Sequence, residues 1–279
     1  MEATIMYDFI TPLHCVRQNQ PLIQCITNFV TVNDCANIIL ATGGSPSMSQ
    51  DIREVEESVS GADALVCNLG AIDFTASMVA AGKKANQLKK PVILDPVAAG
   101  TTQLRREASR TLLEQVHFSV IRGNASEIRF LSGQQSSGSG VDVSPKDAAT
   151  IDNLPDVLEM TRSLARKAGS VIVLSGALDV ISDGTRSVVL HNGCPTMARI
   201  TGSGCMLTAL IGAFCAATPE DLFCAAVSAT AAMGVCGELA EKRRLTNQTG
   251  NATFRTDLID AMFNLTEIQL REGIHYELF

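Results

Sequence analysis

Pro91-Val92-Ile93-Leu94-Asp95-Pro96-Val97-Ala98-Ala99-Gly100 is a short apolar run halted by an aspartate and a proline, then a string of small residues. With no polar residue alternating through it, Pro91–Leu94 reads as a strand covered on both faces. Asp95-Pro96 ends it, because a proline restricts the residue before it and donates no hydrogen bond. The same grammar recurs on either side. Ala64-Leu65-Val66-Cys67-Asn68-Leu69 runs up to Gly70, Phe118-Ser119-Val120-Ile121 leads into Arg122, and Ser170-Val171-Ile172-Val173-Leu174 leads into Ser175-Gly176. Helical spacing fills the intervals, over Phe74–Leu88, Leu104–Val116, Ser126–Leu131 and Pro155–Ala168. Buried strands separated by helices predict an α/β fold with a central, mostly parallel sheet flanked by helices in three layers.

The flanks follow. Asn33–Ala41 has apolar residues on one face and Asn33-Asp34 as capping candidates. Val180–Val189 reads as two strands around an Asp183-Gly184 turn, a hairpin at the far side of the sheet. After Gly204 the chain reads as helices over Cys205–Ala217, Pro219–Glu241 and Thr256–Arg271. Gln134–Asn153, with Ser and Gly filling Ser136–Gly140, is the one long loop. The Met6 to Phe9 region reads as a packing arm. No repeat or linker divides the chain, so residues 1–279 are expected to form a single domain.

Composition removes several function classes. A net charge of −7 and the absence of tryptophan argue against a nucleic-acid partner. The nine cysteines contain no C-x-x-C pair and no histidine at zinc-ligand spacing, and several lie in apolar runs. They read as small core residues of a reducing, cytoplasmic compartment. The N-terminus carries no signal-peptide pattern, and the apolar stretch near Leu222–Gly237 reads as too short and too rich in Ala and Ser to span a membrane.

Ligands of open parallel sheets bind beyond the carboxyl ends of the strands. Those ends carry Asn68-Leu69-Gly70, then Asp95, then Arg122-Gly123-Asn124-Ala125-Ser126-Glu127, then Ser175-Gly176. Singly, Asp95, Asn124, Ser126 and Glu127 are each explained as helix caps, and Arg122 as a surface charge. Together they make a polar rim. Asp95 and Glu127 are suited to hold Mg²⁺ through its waters, and Arg122 to clamp phosphate oxygens. Thr201-Gly202-Ser203-Gly204-Cys205 completes the set, with glycines at the start of a helix whose first N–H groups have no partner. In the positive field of that helix start, Cys205 is expected to have a lowered pKa. The structural alternative is a packed turn with an inert buried cysteine. The parts suit ATP-dependent phosphoryl transfer, although no G-x-x-x-x-G-K-[ST] loop is present.

Five motifs in order carry a resemblance to the hydroxyethylthiazole kinases of thiamine salvage. They are Pro21-Leu22-Ile23-Gln24-Cys25-Ile26-Thr27-Asn28, Gly43-Gly44-Ser45-Pro46-Ser47-Met48, Leu94–Gly100, Arg122–Ile128 and Thr201–Cys205. The resemblance implies a ribokinase-like fold and phosphorylation of the primary alcohol of 4-methyl-5-(2-hydroxyethyl)thiazole by ATP with Mg²⁺. It implies that Asn28, Met48 and Gly202 contact the alcohol, and that Arg122, Ser175, Asp95 and Asn124 serve ATP, with Asp95 and Glu127 at the metal. Gly202, Ser203, Gly204 and Cys205 then form the catalytic turn, Cys205 standing where other ribokinase-like enzymes carry an aspartate base. A homotrimer with thiazole sites between neighbouring subunits is implied too. The departures are small: Gly44 replaces a commoner Ala, and Ser203 and Ser175 stand where Thr is frequent. Two other readings stay open: a ribokinase-like kinase of another small alcohol, such as a pyrimidine or vitamin, and a non-catalytic regulator that binds nucleotide or thiazole.

Overall fold

A computed structural model describes residues 7–133 and 149–279. Its sheet contains β1 (Leu22–Ile26), β2 (Ser45–Ser47), β3 (Ala64–Asn68), β4 (Val92–Asp95), β5 (Val120–Asn124), β6 (Val171–Ser175), β7 (Asp179–Ser182), β8 (Ser187–Leu190) and β9 (Tyr276–Leu278). The spatial order is β2-β1-β3-β4-β5-β6-β7-β8-β9. Pairing is parallel from β2 to β6 and antiparallel through β7, β8 and β9. The helices are α1 (Thr11–Asn19), α2 (Val32–Thr42), α3 (Val55–Gly61), α4 (Thr75–Gln87), α5 (Gln103–Gln115), α6 (Ala125–Leu131), α7 (Leu154–Ala168), α8 (Ser203–Ala217), α9 (Leu222–Asn247), α10 (Asn251–Asn264) and α11 (Glu267–Gly273).

The absence of polar alternation in the strands has a direct structural counterpart. Ala64 and Val66 point into one apolar cluster, with α1, α2, α8, α9 and α10, while Leu65 and Cys67 point into a second, with α3, α4, α5, α6 and α7. Val171 and Val173 divide from Ile172 and Leu174 in the same way. Successive side chains of a strand face opposite ways, so a sheet with helices on both faces needs an apolar residue at every position. The result is the three-layer α/β arrangement expected from the sequence.

Several boundaries differ from the sequence reading. β1 and β2 escape it because Gln24 and Ser45-Pro46-Ser47 interrupt their apolar character. α1, α3 and the exposed β9 were not anticipated either. β5 begins later than expected and extends through Arg122-Gly123-Asn124, so those residues belong to the strand end itself. Thr256–Arg271 is two helices, α10 and α11, because Thr266 accepts a hydrogen bond from the Gln269 N–H and starts a new one. Neither Asn33 nor Asp34 caps α2. That helix starts after Thr31, and Asp34 instead receives the guanidinium of Arg255 from α10.

α9 continues to Asn247 and is long and apolar enough to cross a membrane by length and composition, contrary to the sequence expectation. Its apolarity is used inside the fold: 83% of its most apolar window is buried, against α8 and α10. All nine cysteines are unpaired. Phe9 is buried and stacks on Tyr7 with ring centroids 5.8 Å apart; Met6 and most of the Gln134–Asn153 loop lie outside the described residues.

Candidate active site

The carboxyl ends of β3 to β6 and the amino end of α8 open onto one cavity of about 1120 Å³. Strand register aligns the rim. Asn68 of β3 lies opposite Asp95 of β4, and Asn124 of β5 lies opposite Ser175 of β6. Parallel strands of similar length end together, so residues far apart in sequence become neighbours on one edge.

The turn before α8 has the geometry its glycines suggest. Gly202 is the N-cap with φ 85°, a left-handed conformation costly for any residue bearing a Cβ. No side chain caps the helix, and its first backbone bond runs from the Met206 N–H to the Gly202 carbonyl at 2.8 Å. The N–H groups of Ser203, Gly204 and Cys205 precede that bond, and these residues line the cavity. An array of backbone donors at the positive end of a helix dipole suits an anion such as phosphate.

Arg122 lies directly against this turn. A Cβ on Gly204 would meet Nη2 at 2.8 Å and Cζ at 2.9 Å, so only glycine leaves room for the guanidinium. Nη2 donates to Ser175 Oγ, and Nη1 is 3.7 Å from Asp95 Oδ2. The side chain is only 12% exposed, and its Nε has no hydrogen-bond partner. A desolvated cation with a free donor beside unpaired amides is a second element suited to phosphate oxygens.

Asp95 is buried. Its Oδ2 accepts from Asn68 Nδ2 at 3.0 Å and from Thr208 Oγ1 at 2.9 Å, while Oδ1 has no partner. Glu127 accepts from the Ala98 N–H at 2.8 Å on one oxygen and from the Asn124 N–H at 2.8 Å on the other. Asn124 Oδ1 in turn accepts from the Glu127 N–H, completing a capping box for α6. The structural role considered for Asn124 and Glu127 is thus realised together with their place in the cavity wall. Ala98, which supplies one of these donors, has φ 56°, a strained conformation for alanine.

The two carboxyls are short of positive charge. Burial, and then the neighbouring Asp95, push Glu127 up to about 7, and burial likewise raises Asp95 despite Arg122 and Thr208. Crowded acids with an orphaned oxygen are the donor set a divalent cation relieves. Asp95 Oδ1 fits as a direct ligand. Glu127, both of whose oxygens already accept N–H groups, fits better through water, as magnesium sites often require. Among the described residues no cluster of three metal-ligating side chains occurs.

The expectation of a low pKa at Cys205 is overturned. Burial and then the Asp95 carboxylate raise the thiol above its ordinary value, outweighing hydrogen bonds from Thr31 and Asn68 and the charge of Arg122. The helix field acts at short range on a group that has lost its water, and loss of water dominates. The resting sulfur is a thiol. Asn68 Nδ2 donates to Sγ at 3.2 Å and Asn28 Nδ2 at 3.6 Å.

Of the residues singled out in the sequence, the cavity brings together Asn28, Asp95, Arg122, Asn124, Glu127, Ser175, Gly202, Ser203, Gly204 and Cys205. Met48 is not in its wall; it follows the edge strand β2 and packs against the core. Three members of the site were given no role in the sequence. Asn68 was visible only as one more strand-end polar residue. Thr208 is hidden in the apolar run of α8, four residues after Gly204, and only the fold aims it at Asp95. Asp179 lines the cavity and accepts from the Gly176 N–H at 2.9 Å, with burial holding its carboxyl up at about 7.

A mostly parallel sheet with an uncapped helix start beside paired acids and an arginine, and with no P-loop, is the arrangement of a small-molecule kinase of the ribokinase-like class. The pyridoxal kinase from Staphylococcus aureus in complex with ADP shares the fold, at TM-score 0.57 and 15% identity over 78% of this chain and 87% of that one. The sequence profile of the hydroxyethylthiazole kinase family matches residues 13–268, and the chain belongs to that family. It is 45% identical to the hydroxyethylthiazole kinase of Clostridium acetobutylicum over 96% of this chain and 98% of that protein. Identity to the Clostridium beijerinckii enzyme is 46%, covering 91% of each. The structure of the hydroxyethylthiazole kinase protein from Pyrococcus horikoshii OT3 superposes with TM-score 0.86 at 34% identity, covering 98% of this chain and 100% of that one.

Proposed function

We propose that this chain, as a single kinase domain, transfers the terminal phosphoryl group of ATP to the primary hydroxyl of 4-methyl-5-(2-hydroxyethyl)thiazole, a step of thiamine salvage. The observation that carries the reading is the shared cavity of the unpaired amides at Ser203, Gly204 and Cys205 with Arg122, Asp95 and Glu127. Its family relatives carry the name of that activity.

The amides of the Gly202–Cys205 turn receive the transferred phosphoryl oxygens, where charge spreads in a loose transition state. Arg122, fixed by Ser175, holds the neighbouring phosphate, and Asn124 lies beside it on the rim. Asp95 through Oδ1, and Glu127 through water, would hold Mg²⁺; when bound, the ion neutralises phosphate charge. Asn28 and Gly202 border the space for the alcohol, whose hydroxyl comes to rest beside Cys205. Held as a thiol at rest, Cys205 takes up a proton only through its small thiolate fraction, which suffices if the alcohol proton leaves late. Positioning and charge stabilisation then supply most of the acceleration.

We propose further that the enzyme is a cytoplasmic homotrimer in which Met48 of one subunit completes the thiazole slot of its neighbour. Phe29 and Val30 in the cavity wall, 90% and 55% exposed, support a partner surface there. Nine unpaired cysteines support a reducing compartment. Incubating the protein with ATP, Mg²⁺ and the thiazole alcohol, with mass spectrometry for the phosphate ester, tests the activity. ATP and alcohol binding with no ester formed would instead favour a regulator.

A further inference from the structure

Asn68 makes more contacts within the site than any role described so far requires. It is buried at the end of β3, and every polar atom of its amide is engaged. Oδ1 accepts from the Gly70 N–H at 2.9 Å and from Asn28 Nδ2 at 3.1 Å. Nδ2 donates to Asp95 Oδ2 at 3.0 Å and to Cys205 Sγ at 3.2 Å. A backbone N–H facing Oδ1 fixes which way the amide is turned, since a flipped amide would set donor against donor. The NH₂ group must therefore face the carboxylate and the sulfur together.

We propose that Asn68 is a positioning residue for the reaction, a bridge that aligns the Asp95 carboxylate and the Cys205 sulfur with one rigid amide. The inference rests on the kinase reading above and adds to it a residue outside the expected machinery. With Oδ2 of Asp95 engaged by Asn68 and Thr208, the carboxylate is turned so that Oδ1 stays unpaired. With Sγ engaged by the amides of Asn68 and Asn28, its rotamer is set, and the proton of the neutral thiol has to lie away from those two donors. Aspartate has nearly the shape of asparagine and keeps an oxygen for Gly70 and Asn28, but as a carboxylate it donates to neither Asp95 nor sulfur, and as an acid its one O–H serves only one of them. It separates the bridge from mere filling of space.

The test uses the full-length enzyme as Asn68→Asp, Asn68→Ala, Cys205→Ala and the Asn68→Asp/Cys205→Ala double variant, each checked for folding by circular dichroism. Steady-state kinetics with ATP, Mg²⁺ and the thiazole alcohol should give a kcat lowered about tenfold in Asn68→Asp, with both KM values within about twofold of the parent. In the Cys205→Ala background the same substitution should cost at least about threefold less, since half of the bridge is already gone. A second readout needs no turnover: iodoacetamide labelling of Cys205 at fixed pH, followed by peptide mass spectrometry, should be about tenfold slower in Asn68→Asp. Equal penalties in the two backgrounds, a loss confined to KM, or unchanged labelling would each overturn the proposal. If the parent enzyme forms no phosphate ester, the kinase reading fails, and labelling alone then decides whether the amide governs the sulfur. Asn68→Asp preserves the amide's accepted bonds, so it stays informative if Asn68→Ala does not fold.

Discussion

The guanidinium of Arg122 occupies the space that the side chain of residue 204 would fill if it were anything but glycine, with Cζ 2.9 Å from the position of a Cβ there. A strand-end cation and a helix amino terminus, from residues 82 positions apart in the numbering, thus lie in direct contact. Neither element alone would bind a phosphate in a fixed orientation. Their contact makes the glycine a matter of packing rather than of turn flexibility.

Gly204→Ala is therefore expected to displace Arg122 and to lower kcat/KM about 10²-fold, a loss of the size seen when one charge-stabilising group is removed. A thermal melt should change little, since alanine favours the helix it joins. Kinetics and a melting curve on the same preparation check this.

Asp95→Asn should retain the fold and lose nearly all turnover, and Glu127→Gln should lose less. The asymmetry follows from the bonds each makes: Asp95 Oδ1 is unpaired, whereas both Glu127 oxygens already accept backbone N–H groups. Activity measured against Mg²⁺ concentration should require more metal in both variants, with the larger shift in Asp95→Asn. Equal shifts would remove the assignment of Asp95 as the direct ligand.

Cys205→Ala is expected to lower kcat and leave measurable turnover, and Cys205→Asp to remain active. The sulfur is a thiol at rest and only its small thiolate fraction accepts a proton, so its loss removes a minor base. A folded, nucleotide-binding Cys205→Asp enzyme without turnover would show that the proton leaves by another route.

Asp179→Asn should stabilise the protein at pH 8 and do so much less at pH 5. The folded carboxyl is held up at about 7, against an ordinary value of 3.8, chiefly by burial. Between those values the folded chain keeps a proton that the unfolded chain has lost, so stability falls as pH rises through that window. Asparagine has no charge to bury and retains an oxygen for the Gly176 N–H. A gain of about 1–2 kcal/mol would raise Tm by roughly 2–5 °C at pH 8 in a domain of this size. Melts at the two pH values decide it.

What could be read from the linear chain was whatever depends on neighbours in sequence. Unalternating runs at Ala64–Leu69, Pro91–Leu94 and Ser170–Leu174 announced a sheet buried on both faces, because each position along such a strand meets one of two apolar layers. The polar residues just beyond them announced the rim. Asn124 and Glu127, three apart, announced a cap as readily as a site, and the structure uses them as both. Gln24 and Ser45-Pro46-Ser47 carried no strand signal, since β1 and β2 take their pairing from partners elsewhere in the chain.

Tertiary structure alone set the state of Cys205, the contacts of Asn68 and Thr208, and the packing of Arg122 against Gly204. A helix dipole can be read from a Gly-rich turn. The burial that raises the thiol, and the Asp95 carboxylate that adds to it, come from elements distant in the sequence. The physical reason is that sequence fixes short-range geometry, whereas desolvation and charge depend on what lies within a few ångströms in space. In this protein those neighbours arrive from the segment after β1 and from β3, β4, β5 and α8 together.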